Sequence, residues 1–311
     1  MTGGSSGIGL WVAIYAARMG ADVTIIARNV KLLGKFDQRP NFLSVCLPSI
    51  RAVLEKAVAV IKETCESPDQ KIEYRSLDLS KGHENVNKTF AEIEEKSGEI
   101  YMLVNCAGMA ICGTLEDTKP EDAKFLMDIN YFGTFFPIQY VLPKMKARKD
   151  GIIVITSSQG GLMGIYGLGA YAAAKFALRG LAETLYMETK HLNIHVTLAL
   201  PADVDTPGFA NEQKTKPKET QEICSSGGLF KPEVVAQNIL KDALRGNFFS
   251  IMGLESWMMS LLCCGMSPWK NPLLCLLQFY TNGPLRLIGL IVQWNFGRIV
   301  KKHHSAKEKS K

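Results

Sequence analysis

Three side chains have the types and spacing for acid–base chemistry on a carbonyl. Tyr171 and Lys175 are separated by Ala172-Ala173-Ala174, so on a helix they share one face. A free phenol titrates at about pH 10. An ammonium one turn away favours the phenolate and is expected to lower Tyr171 toward the working range of an acid/base group. Ser158 follows an apolar run, 13 positions before Tyr171. A hydroxyl there can bind a carbonyl oxygen as a small oxyanion-type donor. Tyr-x-x-x-Lys alone is common by chance; the upstream serine gives it weight.

Such chemistry needs a redox partner, and the first residues supply a cradle for one. Thr2-Gly3-Gly4-Ser5-Ser6-Gly7-Ile8-Gly9 opens an amphipathic stretch. Glycines let backbone approach a pyrophosphate, and a helix N-terminus adds N–H donors and the positive end of its dipole. Gly3-Gly4-Ser5-Ser6-Gly7 also fits the Gly-x-Ser-x-Gly elbow of hydrolases. No later histidine has a convincing setting for that chemistry. The next apolar run ends at Ala27-Arg28-Asn29 with no acid at its tip. An acid there would hold a ribose 2′-hydroxyl, whereas Arg accommodates a 2′-phosphate. Arg28, with Ser5, Ser6 and Lys31, therefore favours NADP over NAD.

The elements that must position these groups alternate. Short apolar runs at 22–27, 72–77, 101–105, 152–156 and 195–200 predict strands. Helices are expected at 8–19, 52–65, 84–96, 121–146, 170–190 and 232–245. This order implies an α/β fold, a doubly wound parallel sheet covered by helices. Residues 206–230, with Pro207, Pro217, Gly227 and Gly228, are expected to form a mobile excursion over the site. Residues 35–51, with Pro40 and Pro48, interrupt what should be one crossover and predict an inserted loop.

Thr2–Gly9, Asn105-Cys106-Ala107-Gly108, Asn130, Ser158, Tyr171 and Lys175 resemble, in order, the signature of the short-chain dehydrogenase/reductase family, over roughly residues 2–245. Cys106 departs from the usual second Asn of the third motif. The resemblance implies a Rossmann-like sheet and NADPH/NADP as cofactor. Tyr171 would donate the proton, Ser158 would bind the carbonyl oxygen, and Lys175 would hold the nicotinamide ribose. Asn130 would support a water relay behind Lys175. Gly3, Ser5, Ser6, Gly7 and Ile8 would hold the pyrophosphate, and Asp78 with Leu79 would meet the adenine. Asn105, Ala107 and Gly108 would line the cofactor. Val204 and Thr206, in Pro201-Ala-Asp-Val-Asp-Thr206, would meet its carboxamide and phosphate. Residues 126–131, 175–183, 205–209, Thr215-Lys-Pro217 and Cys264-Gly-Met-Ser-Pro268 are similar to the branch of the family that reduces 3-ketosphinganine to sphinganine with NADPH, on the cytosolic face of the endoplasmic reticulum. The resemblance thus implies a sphingoid-base ketone as substrate. Alternatives are a membrane-associated reductase of retinoid, steroid or acyl-chain carbonyls, and a catalytically impaired paralogue.

The C-terminal fifth divides the chain further: a cofactor-binding domain at 1–250, an apolar membrane- or substrate-facing region at 251–300, and a basic tail at 301–311. Charge-free runs cover 256–269, 271–285 and 287–297, each shorter than the roughly 20 residues of a spanning helix. They predict interfacial or re-entrant segments rather than a clean span, although 287–300 with its flanking residues approaches one, with Trp257, Trp269, Tyr280 and Trp294 near a headgroup layer. A substrate lid or a homodimer interface is the competing reading. Of the net charge of +6, +5 falls in residues 298–311. The body of the protein is thus not a basic surface, which excludes a nucleic-acid binder. Lys307-Glu-Lys309-Ser-Lys311 resembles a retrieval signal of endoplasmic reticulum membrane proteins. The eight cysteines include no Cys-x-x-Cys pair and the histidines do not bracket them, so no metal site is expected.

A strand should precede the glycine turn, and only Met1 does. A truncated gene product is therefore expected, poorly soluble as written and weak for NADPH, because both neighbouring strands would keep unpaired backbone groups.

Overall fold

The computed structural model describes residues 1–28, 50–263, 265–268 and 272–309. Lys31, Cys46, Cys264, Trp269, residues 35–49 of the expected insert and the end of the tail lie outside the described residues. In chain order the elements of the first half are α1 (Gly7–Arg18), β1 (Val23–Ala27), α2 (Ile50–Lys62), β2 (Ile72–Ser76), α3 (His83–Ser97), β3 (Met102–Asn105), α4 (Pro120–Met127) and α5 (Gly133–Arg148). Then come β4 (Gly151–Thr156), α6 (Gly169–Thr189), β5 (Ile194–Ala199), β6 (Asp203–Val204), α7 (Pro207–Glu212), α8 (Lys218–Cys224), β7 (Leu229–Phe230), α9 (Pro232–Leu244), β8 (Phe249–Ser250), α10 (Leu254–Cys263) and α11 (Pro272–Lys309).

The strands are parallel, and the central β4 is apolar on both faces, as expected for a strand covered on two sides. β2 pairs with β1, and β3, β4, β5 and β8 follow one another. Two layers of helices close the sheet. Leu103, Ile153 and Ile155 pack with Phe90 of α3, Val141 of α5 and Leu178 of α6. On the opposite face Val104, Ile152 and Val154 pack with Val12 of α1 and Ile239 of α9. Ile25 meets Ile14 of α1 with Leu54 and Ile61 of α2. β8 had no periodic signal in the sequence; it is two residues long and completes the edge through Leu198–Phe249.

The slot of the expected first strand is neither full nor empty. Thr2 bridges β1 and β3 at once, to Ile26 and Asn105. Its N–H donates to Val104 O (2.9 Å), and Ile26 N–H donates to Met1 O (2.8 Å). Below these rungs a cavity of about 310 Å³ opens between the two strands, lined by Met1, Val12, Thr24, Ile93, Leu103 and Val104 among others. The Met1 ammonium donates to Thr24 O (3.0 Å), and burial lowers its pKa to about 6.

Three expectations are corrected. The helix expected at 121–146 is broken by a π turn at Asp128–Phe132, because Asn130 Nδ2 donates to Leu126 O and Thr134 Oγ1 to Asn130 O. The 206–230 excursion is built, not irregular: α7 and α8 stand on the β6–β7 pair. The three apolar runs at the C-terminus become α10 and the 38-residue α11. Arg286 interrupts hydropathy but not helix geometry, and Pro284 removes a single backbone donor. The same helix continues through the basic tail to Lys309.

Candidate active site

Ser158 follows β4 and begins a 3-10 turn, with its Oγ accepting from Gly160 N–H (3.2 Å). Tyr171 and Lys175 lie one turn apart on α6, and their ends converge on that serine. The Ser158 hydroxyl lies close enough to the Tyr171 phenol to favour its charged form. Lys175 Nζ sits 5.5 Å from the Tyr171 ring centroid and donates to Thr156 O (3.0 Å). Ser157 braces the pair from behind, its Oγ donating to Lys175 O (3.0 Å).

The electrostatics reverse the expectation for the phenol. Burial pushes the Tyr171 pKa up, and the charges of Glu212 and Asp203 push the same way; the Ser158 hydroxyl opposes them without prevailing. Burial also lowers Lys175 to about 8. The physical reason is that both groups lose water, which disfavours phenolate and ammonium alike. A protonated phenol is the form that gives a proton away, so the arrangement suits an acid.

The glycine turn closes on the same end of the sheet. Gly3 and Gly7 have φ of +65° and +54°. A methyl on Gly3 would stand 2.8 Å from Ala107 N, and one on Gly7 would stand 2.9 Å from Thr206 Cγ2. A methyl on Gly108 would reach Asn130 Oδ1 at 2.6 Å and Lys175 Nζ at 3.4 Å. Ala107 N–H donates to Thr2 Oγ1 (3.3 Å). Ser5, Ser6 and Ile8 lie at the start of α1, where Ser6 makes no side-chain cap and the first turn holds no acid. This bare backbone cradle fits a nicotinamide dinucleotide: it offers N–H groups and a positive dipole end to phosphate.

Other expected contacts are distributed differently. Arg28 is at the end of β1; its NH2 approaches Met109 Sδ (3.3 Å) and its guanidinium lies over Phe125. Burial lowers its pKa, opposed by the charge of Asp78. Asp78 Oδ1 accepts from Ser80 N–H (3.0 Å) and Ser80 Oγ (2.7 Å). Leu79 points its side chain into the core, so any contact with adenine is left to its backbone. Asn105 Nδ2 donates to Val154 O (3.2 Å) and ties β3 to β4. The unusual Cys106 hydrogen-bonds through Sγ with Thr156 Oγ1 (3.4 Å), and burial keeps its thiol neutral. Thr206 caps α7, accepting from Phe209 N–H (3.1 Å), and Val204 is buried in β6. Asn130 spends its amide on backbone: Nδ2 donates to Met109 O and Leu126 O (both 2.9 Å), and Oδ1 accepts from Met109 N–H (3.3 Å). Asn130→Leu is expected to lower stability by about 1–3 kcal/mol per stranded buried group, measured as a lower melting temperature.

A cavity of about 210 Å³ joins these parts. Ser158, Tyr171 and Lys175 form one side, and Met163, Ile165, Ile223, Met259 and Phe296 form an apolar wall. Asp203, Glu212 and Glu255 also line it. The sequence reading missed these acids and their partner Lys216; the four-residue spacing of Glu212 and Lys216 was the available signal. Two quoted segments meet beside the cavity. Arg179 of α6 donates to Glu183 Oε1 (2.8 Å), Cys263 O (2.6 Å) and Ser267 Oγ (3.0 Å), and Ser267 Oγ donates to Glu183.

Comparison with known proteins agrees with this geometry. The short chain dehydrogenase family model matches residues 44–217. The 3-ketodihydrosphingosine reductase of Bos taurus is 41% identical over 303 residues, covering 97% of this chain and 85% of that protein. The 3-dehydrosphinganine reductase of Danio rerio is 39% identical over 312 residues, covering 100% and 87%. Among solved structures, a short-chain dehydrogenase from Sphingobium yanoikuyae in complex with NADPH superposes with a TM-score of 0.65 at 22% identity, over 82% of this chain and 87% of that one. Levodione reductase superposes with a TM-score of 0.63 at 23% identity, over 78% and 89%. With the match to the family model across more than half its length, and a fold and motif order to go with it, the chain belongs to the short-chain dehydrogenase family.

Proposed function

We propose that the protein reduces 3-ketosphinganine to sphinganine with NADPH, at the cytosolic face of the endoplasmic reticulum membrane. The observation that carries this reading is the near end-to-end similarity to reductases named for that ketone. The cavity supports it: Ser158 and Tyr171 share it with apolar side chains, among them Phe296 from α11.

When bound, the reduced nicotinamide supplies hydride to the ketone carbon. Ser158 Oγ and Tyr171 Oη hold the carbonyl oxygen between them, and Tyr171 gives up its proton as negative charge develops there. Lys175, fixed by Thr156 O, keeps a donor beside the phenol and toward Gly108. Gly3, Ser5, Ser6, Gly7 and Ile8 hold phosphate, and Arg28 selects the 2′-phosphate. Arg28→Ala is expected to raise KM for NADPH about tenfold or more, with KM for NADH nearly unchanged. Equal KM changes for the two cofactors would remove Arg28 from that role.

α11 is long and apolar enough to cross a membrane, over Cys275–Ala306. Its contacts favour lying along the surface instead. Gln278 Nε2 donates to Leu261 O (2.9 Å) near one end. Lys302 Nζ meets Glu222 (3.1 Å), and His303 Nε2 meets it at 2.7 Å, near the other. Leu276, Phe279, Leu287, Ile291 and Trp294 remain exposed for lipid. The full chain should float with phospholipid vesicles, and a chain lacking residues 272–311 should stay at the bottom of the gradient.

The functional reading is tested by steady-state turnover of 3-ketosphinganine in mixed micelles, set against a panel of retinal and steroid ketones. Preference for a panel member would overturn it.

A further inference from the structure

Asp203, Glu212 and Lys216 form a group to which the reaction as described assigns no task. The Lys216 side chain is 1% exposed. Its ammonium meets Asp203 Oδ2 at 3.2 Å and Glu212 Oε1 at 3.0 Å, above the Phe209 ring. Two carboxylates share one ammonium, and burial together with the Asp203 charge pushes the Glu212 pKa up, so its charged form is short of a cation. Burying such a charge is costly unless a cation arrives.

The placement says where that cation would come from. Asp203, Glu212 and Glu255 line the same cavity as Ser158 and Tyr171. Lys175 is the one cationic side chain among the described lining residues, and it is committed to Thr156 O. Cys224 lies in the same wall, and burial pushes its thiol up to about 11, so it is neutral near pH 7. The cavity that holds the paired hydroxyls therefore also holds carboxylates, within a largely apolar lining.

3-Ketosphinganine carries its amine on the carbon next to the ketone. With the carbonyl oxygen on Ser158 and Tyr171, that ammonium has to lie within the same small cavity. We infer that Glu212 is the residue that binds the substrate ammonium, with Lys216 acting as a positioning residue that orients its carboxylate. The assignment rests on the 3-ketosphinganine reading. Glu212 is preferred to Asp203 because its side chain is less exposed, 16% against 29%, and an ion pair strengthens as water is excluded. A carboxylate has about four lone-pair sites, so one bond to Lys216 leaves capacity for a second ammonium. Thr206, by capping α7, holds the helix that carries Glu212 against the site.

The test is kinetic. Wild type and Glu212→Gln are compared on 3-ketosphinganine and on 1-hydroxyoctadecan-3-one, the same chain without the amine. Glu212→Gln is expected to lower kcat/KM about 10- to 100-fold on the amino ketone, the loss appearing in KM, and to change the amine-free ketone far less, only through loss of the Glu212 charge that raises the Tyr171 pKa. Sphinganine binding, followed by tryptophan fluorescence with NADP present, should weaken in parallel. Equal loss on both ketones, or no loss on either, overturns the assignment of Glu212 alone. A wild type that reduces the amine-free ketone but not 3-ketosphinganine overturns the substrate reading and this one with it. Glu212→Asp keeps the counter-charge for Lys216 while shortening the reach. If the Gln variant does not fold, the Asp variant is expected to show the same selective loss, smaller in size, and an unselective loss would count against Glu212.

Discussion

Tyr171→Phe is expected to slow ketone reduction by about 10²- to 10⁴-fold, the usual contribution of a positioned proton donor, while NADPH binding stays close to wild type. The phenol is buried at the mouth of the Ser158 pair, and its pKa is raised above the ordinary value by loss of water and by Glu212 and Asp203. It therefore stays protonated through the physiological range, ready to donate to a developing alkoxide. Removing the hydroxyl takes away the proton and one of the two donors on the carbonyl oxygen, but leaves the ring that packs near Gly160 and Lys175. Single-turnover rates and NADPH fluorescence titration separate the two effects. A variant that turns over at the wild-type rate would falsify the role of Tyr171.

Gly9→Ala should be the most damaging conservative change in the cofactor cradle. A methyl there would stand 2.4 Å from Gly3 O and 2.9 Å from Gly3 C, both backbone atoms of the turn that α1 leaves. Backbone cannot swing aside as a side chain can, so α1 must lift from the turn. Overpacking of this kind costs about 1–3 kcal/mol, and the lifted helix no longer aims its N–H groups at phosphate. Thermal unfolding with and without NADPH should show a lower midpoint and a smaller rise on adding cofactor. Gly180→Ala is the control: it lies on α6 with no heavy atom within 4 Å of the added methyl. It should be neutral or slightly stabilising, because it lowers the entropy of the unfolded chain. Equal effects at the two sites would show that the clash at Gly9 is not what matters.

Much of the architecture was legible without coordinates. A run such as Gly151–Thr156 is apolar on both faces, which only a strand covered on two sides explains. Tyr171 and Lys175 had to share a helix face. What failed was longer in range. The π turn at Asn130 goes with an amide shared between Leu126 O and Met109 O, the latter 21 positions away, which no periodicity reveals. The short edge strand Phe249–Ser250 has no pattern of its own and exists because Leu198 and Ala199 offer it a partner. α11 was read as two separate apolar runs because hydropathy breaks at Arg286, whereas helix hydrogen bonds run through it. The first-strand slot was expected to be bare, yet Met1 and Thr2 fill its upper end.

By itself, then, the order of residues determined the class of fold and the candidate reacting groups, because period, glycine freedom and four-residue spacing are local properties. Tertiary structure alone decided the charge states and the shape of the pocket. Burial turned the expected low phenol pKa into a raised one, and chain folding brought Asp203 and Glu212, both paired with Lys216, into one cavity with Ser158 and Tyr171. Desolvation and long-range proximity depend on what surrounds a group in space, and a linear pattern carries neither.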